Sequence, residues 1–147
     1  LQELSMPQIH FDQINYLAVI AAAVATFVLG GVWYSALCKS VWITAQGYTE
    51  AQIAEMKAKT NTAVFFGGML LAYLIIALVM AVMFQRFEIA TPFGGAKVGL
   101  GIWIIVAAVQ FTGHLASNKK FAALLIDTLF ELIFFVGMGA ILGGWHK

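Results

Sequence analysis

Long apolar runs alternate with short polar stretches along this chain. A bilayer core of about 30 Å is crossed by about 20 apolar residues in helical form, at ~1.5 Å per residue. Four runs reach that length, at about 16–37, 62–85, 98–117 and 121–145. The first three hold no Asp, Glu, Lys or Arg, and the fourth holds Asp127 and Glu131. Backbone groups in hydrocarbon must pair within a helix or a closed barrel, and the alternating pattern of a barrel is absent. The expected fold is therefore all-α: an integral membrane bundle of four transmembrane helices, one domain over residues 1–147. An even number of spans places both termini on one side.

The connections differ in character. Residues 38–61 form the longest. Within it Thr49-Glu50-Ala51-Gln52 reads as a capping box, with Thr49 as N-cap and Gln52 three positions on. This predicts one short interfacial helix from Glu50, lying near the membrane surface or running on into the second span. Residues 86–97 carry Arg86, Glu88, Pro92, Gly94 and Gly95 and read as a polar turn. Ser117-Asn118-Lys119-Lys120 reads as a tight hairpin.

Composition sharpens this picture. Apolar residues make up 62% and charged residues 10% of the chain, against roughly 25% charged in ordinary soluble domains. So few charges cannot cover a water-exposed surface. The net charge of +1 provides no field for phosphates, so nucleic acid is not an expected partner. Cys38 is the single cysteine, which excludes an intrachain disulfide. The first methionine is Met6, and residues 1–5 read as an expression remnant or upstream extension. No basic segment and small-residue cleavage site precede the first run, which is expected to be a retained span. Lys39, Lys57, Lys59, Lys119 and Lys120 fall on one side, and Arg86, Lys97 and Lys147 on the other. That bias places the first and third loops in the cytoplasm and the termini outside a cell inner (cytoplasmic) membrane.

Helices in lipid associate through small residues that let backbones approach. Ala18, Ala22, Thr26 and Gly30 form one stripe, Gly139 and Gly143 a second, and Gly95 and Gly99 a third. Each serves either packing within the chain or a homo-oligomer interface. Trp33, Tyr34, Trp42 and Trp145 lie near span ends, where aromatic residues anchor helices at the interface. Trp103 sits deeper, for packing or a ligand.

The candidate chemistry lies in the polar residues inside the spans, which are costly there and face an interior or a water-filled space. Asp127 and Glu131 share a helix face at i, i+4, about 9 Å and 15 Å into the fourth span. Depth matching sets Gln110 near the level of Asp127, His114 nearer the surface, and Tyr73 near Glu131, with Tyr34 and Ser35 on the same side. Tyr34, Tyr73, Gln110, His114, Asp127 and Glu131 thus form one candidate polar column. It reads as hydrogen-bonded packing, as a proton or cation path, or, with His114, Asp127 and Glu131, as an ion site that their unequal depths disfavour. His10 and His146 are terminal and read as interfacial rather than as haem ligands. No phosphate-binding, hydrolase or dinucleotide motif occurs, and no nucleophile–base pair supports an enzyme. No catalytic residue, metal or cofactor is expected, apart from a bound lipid.

Three stretches are distinctive: Asn15-Tyr16-Leu17-Ala18-Val19; Gly30-Gly31-Val32-Trp33-Tyr34-Ser35 with Trp42 and Gly47-Tyr48-Thr49-Glu50; and the ending from Gly137 to Trp145. Together they resemble a family of small bacterial membrane proteins, domain of unknown function 1761, over nearly the whole chain. The resemblance implies a four-helix membrane domain with a long first loop, and no activity. Members often carry Pro where Ala36 stands, and Tyr-His where this chain has Phe130-Glu131. An ionisable group is kept while its chemistry changes. That favours a hydrogen-bonding or proton-accepting role for Glu131 over a catalytic or metal-binding one. The expected function is an oligomeric proton or small-solute channel or transporter using the polar column. The alternative is a non-transporting accessory or scaffold subunit of a membrane complex. The expected partners are the lipid bilayer and a second copy or a larger membrane complex.

Overall fold

In the computed structural model, which describes residues 8–145, every long apolar run is helical. The chain forms α1 (Tyr16–Val32), a π-helical turn (Trp33–Leu37), α2 (Lys39–Gln46), α3 (Glu50–Lys59), α4 (Thr62–Arg86), α5 (Pro92–Leu115) and α6 (Phe121–Gly144). α1 with its π-turn, α4, α5 and α6 are the helices long and apolar enough to cross a membrane. The chain is thus an all-α, multi-pass membrane protein. Met6, His146 and Lys147, used in the sequence reading, lie outside the described residues.

The third span begins at Pro92, not near residue 98 as the turn-like sequence led us to expect. Thr91 caps it, its Oγ1 accepting from the Gly94 N–H at 3.0 Å. Pro92 occupies the first turn, where a missing N–H costs nothing. Gly94 and Gly95 are helical because packing overrides their weak propensity. A Cβ on Gly95 would run into the backbone carbonyl of Gly139, and one on Gly139 into that of Gly95. A Cβ on Gly143 would likewise strike the Thr91 carbonyl, and one on Gly99 the Phe135 carbonyl. α5 and α6 therefore cross antiparallel in backbone contact, the most extensive helix pair in the molecule.

The small-residue stripe of α1 is also buried, with Ala22 fully covered and Gly30 facing Phe130 and Tyr73. α1 packs on α4 and α6, and α4 also touches α6. Met80, Phe84, Phe134, Phe135, Met138 and Leu142 fill the space between them. Ile105 and Leu115 are 66% and 70% exposed, as side chains facing lipid are.

The first connection contains two helices where the sequence led us to expect one. α2 ends at Gly47, whose φ of 75° is the left-handed cap conformation that favours glycine. The capping box forms as expected, with Thr49 and Gln52 bonding reciprocally. α3 does not run on into the second span. Thr60 is extended, and Asn61 caps α4 by accepting from the Val64 N–H at 3.1 Å.

Candidate functional site

The polar site is built on α6, whose i, i+4 spacing stacks Asp127 and Glu131 on one face. Asp127 is held from the α1–α2 side. The Tyr34 hydroxyl donates to Asp127 Oδ1 at 2.7 Å, and the Trp42 indole N–H donates to the same oxygen at 2.9 Å. The two rings meet edge to face, 5.7 Å between centroids. Tyr34 sits on the π-turn, where the Cys38 N–H reaches back five residues to the Trp33 carbonyl at 2.8 Å. Such a turn carries an extra residue and re-aims the side chains around it.

Glu131 is held from the other side, by α5. The Gln110 side-chain amide donates to Glu131 Oε1 in a short contact. Glu131 Oε2 is buried and has no hydrogen-bond partner among the described residues. The depth count set Gln110 near the level of Asp127, yet its amide reaches Glu131. Side chains on a helix lean toward its N-terminus. In an antiparallel pair, Gln110 leans inward and Glu131 outward, so they meet across a level difference that Cα positions alone do not close.

The remaining members of the column take different places. Tyr73 is buried, with its ring edge-on to Phe134 at 5.7 Å. His114 packs edge-on against Phe121 at 5.9 Å. Ser35 turns back to the Gly31 carbonyl in its own helix. Among the described residues no three His, Cys, Asp or Glu side chains converge, so the ion site drawn from His114, Asp127 and Glu131 is not formed.

A cleft of about 190 Å³ opens beside Asp127 at the α5–α6 turn, lined by Gln46, Gln110, His114, Ser117, Lys119 and Asp127 among others. Gln46 Oε1 is buried and has no hydrogen-bond partner among the described residues. Gln110 thus joins the cleft to Glu131, one turn deeper. Trp42 and Gln46 were absent from the sequence-based column. They lie four residues apart on α2, the helix that sequence reasoning did not anticipate, and share its face toward α6. Lys120 N–H donates to the Ala45 carbonyl at 3.2 Å, tying α2 to the start of α6.

Two more tryptophans turn inward rather than acting as simple anchors. Trp33 Nε1 donates to the Ile126 carbonyl at 3.2 Å, and Trp103 Nε1 to the Thr128 carbonyl at 2.7 Å. They grip α6 on either side of Asp127 and fix its rotation. The packing candidates Ala22, Gly30, Gly139 and Gly143 all face helices of the same chain.

The fold and the carboxylates of α6 define a class: a small multi-pass membrane protein with two hydrogen-bonded carboxylates inside its last span. The chain belongs to the family described as protein of unknown function (DUF1761), whose model matches residues 17–143. No curated protein and no solved structure matches it.

Proposed function

We propose that this protein moves protons or a small solute across its membrane, taking up the cargo at Asp127 and Glu131 from the α5–α6 turn end. The observation that carries the reading is Glu131 Oε2, buried inside a span without a partner among the described residues. A carboxylate in that position is expensive to retain and is the kind of group that relays protons or binds a cargo. The cleft, Asp127, Gln110 and Glu131 form a graded series from the membrane surface inward. Tyr34 and Trp42 hold Asp127 Oδ1, leaving its second oxygen for the cargo. Beyond Glu131 the apolar core around Phe134 and Met138 closes the path. Transport therefore requires a second packing of the helices that opens the other end.

The test is flux into proteoliposomes carrying a pH-sensitive dye, comparing wild type with the Asp127→Asn/Glu131→Gln double variant. Wild-type flux that the double variant loses, with both proteins folded, supports the reading. Equal flux in both, or none in either, removes the proton path.

A second reading, a non-transporting accessory subunit packed on itself or on a larger membrane complex, draws on α3. That helix has no extensive contact with another described element, and nearly all of it is exposed. Because Gly139 and Gly143 already face α5, a partner would sit on α3 and the exposed start of α4. This reading expects the carboxylate substitutions to be silent and a native pull-down to recover a stoichiometric partner. On either reading no catalytic residue or metal is invoked, and the bilayer supplies the surroundings, with a bound lipid as the one non-protein group we expect.

A further inference from the structure

We propose that residues 9–14 form a hinged lid over a second cavity, at the end of the bundle opposite the α5–α6 turn, with the Gln85 side chain as its latch. The lid rests on the transport reading, because it names where the far end of the path opens. The cavity measures about 250 Å³ and lies between the start of α1, the last turn of α4 and the end of α6. Gln13, Ile14 and Asn15 form part of its wall, and Gln85 lines it too. Phe84 and Leu142 also line it, and both belong to the core that closes the path beyond Glu131. Leu142 stands about 16 Å further along α6 than Glu131, at ~1.5 Å per residue. The cavity is thus the water-side space that a path through this core would enter.

The segment is fixed at one end and lightly tied at the other. At its base, Ile14 is buried in the core, and Asn15 caps α1 by accepting from the Ala18 N–H at 3.1 Å. Beyond that base, the 3-10 turn Phe11–Gln13 buries none of its residues, and Ile9 and Phe11 are exposed. Apolar burial therefore does little to hold it. The tie to α4 is polar. Gln85 Oε1 accepts from the His10 N–H at 3.0 Å, and Gln85 Nε2 donates to the His10 carbonyl at 2.9 Å. One side-chain amide thus engages both backbone groups of one residue. Both bonds are exposed, so water replaces each of them at small net cost. A segment with few buried contacts and exposed hydrogen bonds opens without unfolding the rest. Ile14 and Asn15 then act as the hinge, and Gln85 sets how often the lid is open.

The experiment measures how fast a small, charged methanethiosulfonate modifies Ala18→Cys, in a Cys38→Ala background, with the full chain in lipid nanodiscs. Ala18 lines the cavity and is buried, so a thiol there reports the opening of the lid. Gln85→Met keeps the length of the side chain and removes both bonds. It is expected to speed modification about tenfold, the scale of two weak hydrogen bonds. Ala77→Cys, buried on α4 and outside the cavity lining, is expected to keep its rate when Gln85 is changed. An unchanged rate at Ala18→Cys overturns the inference. Equal acceleration at Ala77→Cys overturns it too, since the whole bundle would then have loosened. In the proteoliposome assay, tying His10→Cys to Gln85→Cys with a short bifunctional maleimide is expected to abolish carboxylate-dependent flux. Flux that survives the tie leaves the transport reading standing and removes the lid from the path. If the wild type shows no flux, the transport reading fails, and the modification rates alone decide whether the lid opens.

Discussion

Asp127 Oδ1 receives two donors, from a tyrosine on a π-turn and a tryptophan on α2. Each donates to a group able to carry charge, so losing one removes a strong bond. Within membranes such bonds average less than in water-excluded soluble cores, about 1 kcal/mol. Tyr34→Phe and Trp42→Phe are each expected to lower thermal stability by about 1 kcal/mol, and the double change by less than the sum, because the two donors share one acceptor atom. A double-mutant cycle of melting in detergent measures this. Strict additivity would show that the shared oxygen does not couple them. The type of each residue at the site was readable from the sequence, and so was the i, i+4 placement of the two carboxylates. Which partner each carboxylate takes was not, because it depends on side-chain lean and helix rotation.

At the scale of elements, the α5–α6 crossing rests on backbones that touch. Adding even one carbon at Gly95 or Gly139 drives it into a carbonyl of the facing helix. Overpacking of this kind costs about 1–3 kcal/mol where side chains can yield, and here the obstacle is backbone. Gly139→Leu is expected to separate the pair and lose the Gln110–Glu131 contact, with a melting loss of about 3 kcal/mol or more. Gly101→Leu, with open space around it, is expected to leave melting within about 0.5 kcal/mol. Comparing the two variants checks the crossing, and equal melting would refute it. The glycine spacing marked these faces in the sequence. It did not distinguish a fold from an oligomer interface, since the same small residues serve both. Gly95 likewise read as part of a turn, and in the structure its backbone lies against Gly139 of α6.

For the whole molecule, the cleft beside Asp127 opens where α2, the α5–α6 turn and the start of α6 meet. Both the first connection and the α5–α6 turn must then face the same compartment. Single cysteines at Lys57 and Lys119, in a Cys38→Ala background, are expected to react from the same side of sealed vesicles with a membrane-impermeant maleimide, and a cysteine at Glu88 from the other. Labelling of all three from one side would contradict the four-span arrangement. Which compartment holds the cleft follows from the same experiment in oriented vesicles, and the excess of lysines on that side predicts the cytoplasm.

The sequence by itself determined that this is a helical membrane protein with four spans, a capped helix in its first connection and ionisable groups in its last span. Those features are local: they follow from run length, from capping chemistry and from the cost of charge in hydrocarbon, all of which act along the chain. Only the tertiary structure decided that α5 starts at Pro92, that α2 exists and delivers Trp42 and Gln46 to the site, and that Gln110 reaches Glu131 rather than Asp127. Each of these depends on how one helix is rotated and leaned against another. In a membrane that choice is made by close packing and hydrogen bonds between segments far apart in sequence, since lipid and protein interior are equally apolar and the pattern of apolar residues therefore does not say which way a helix faces.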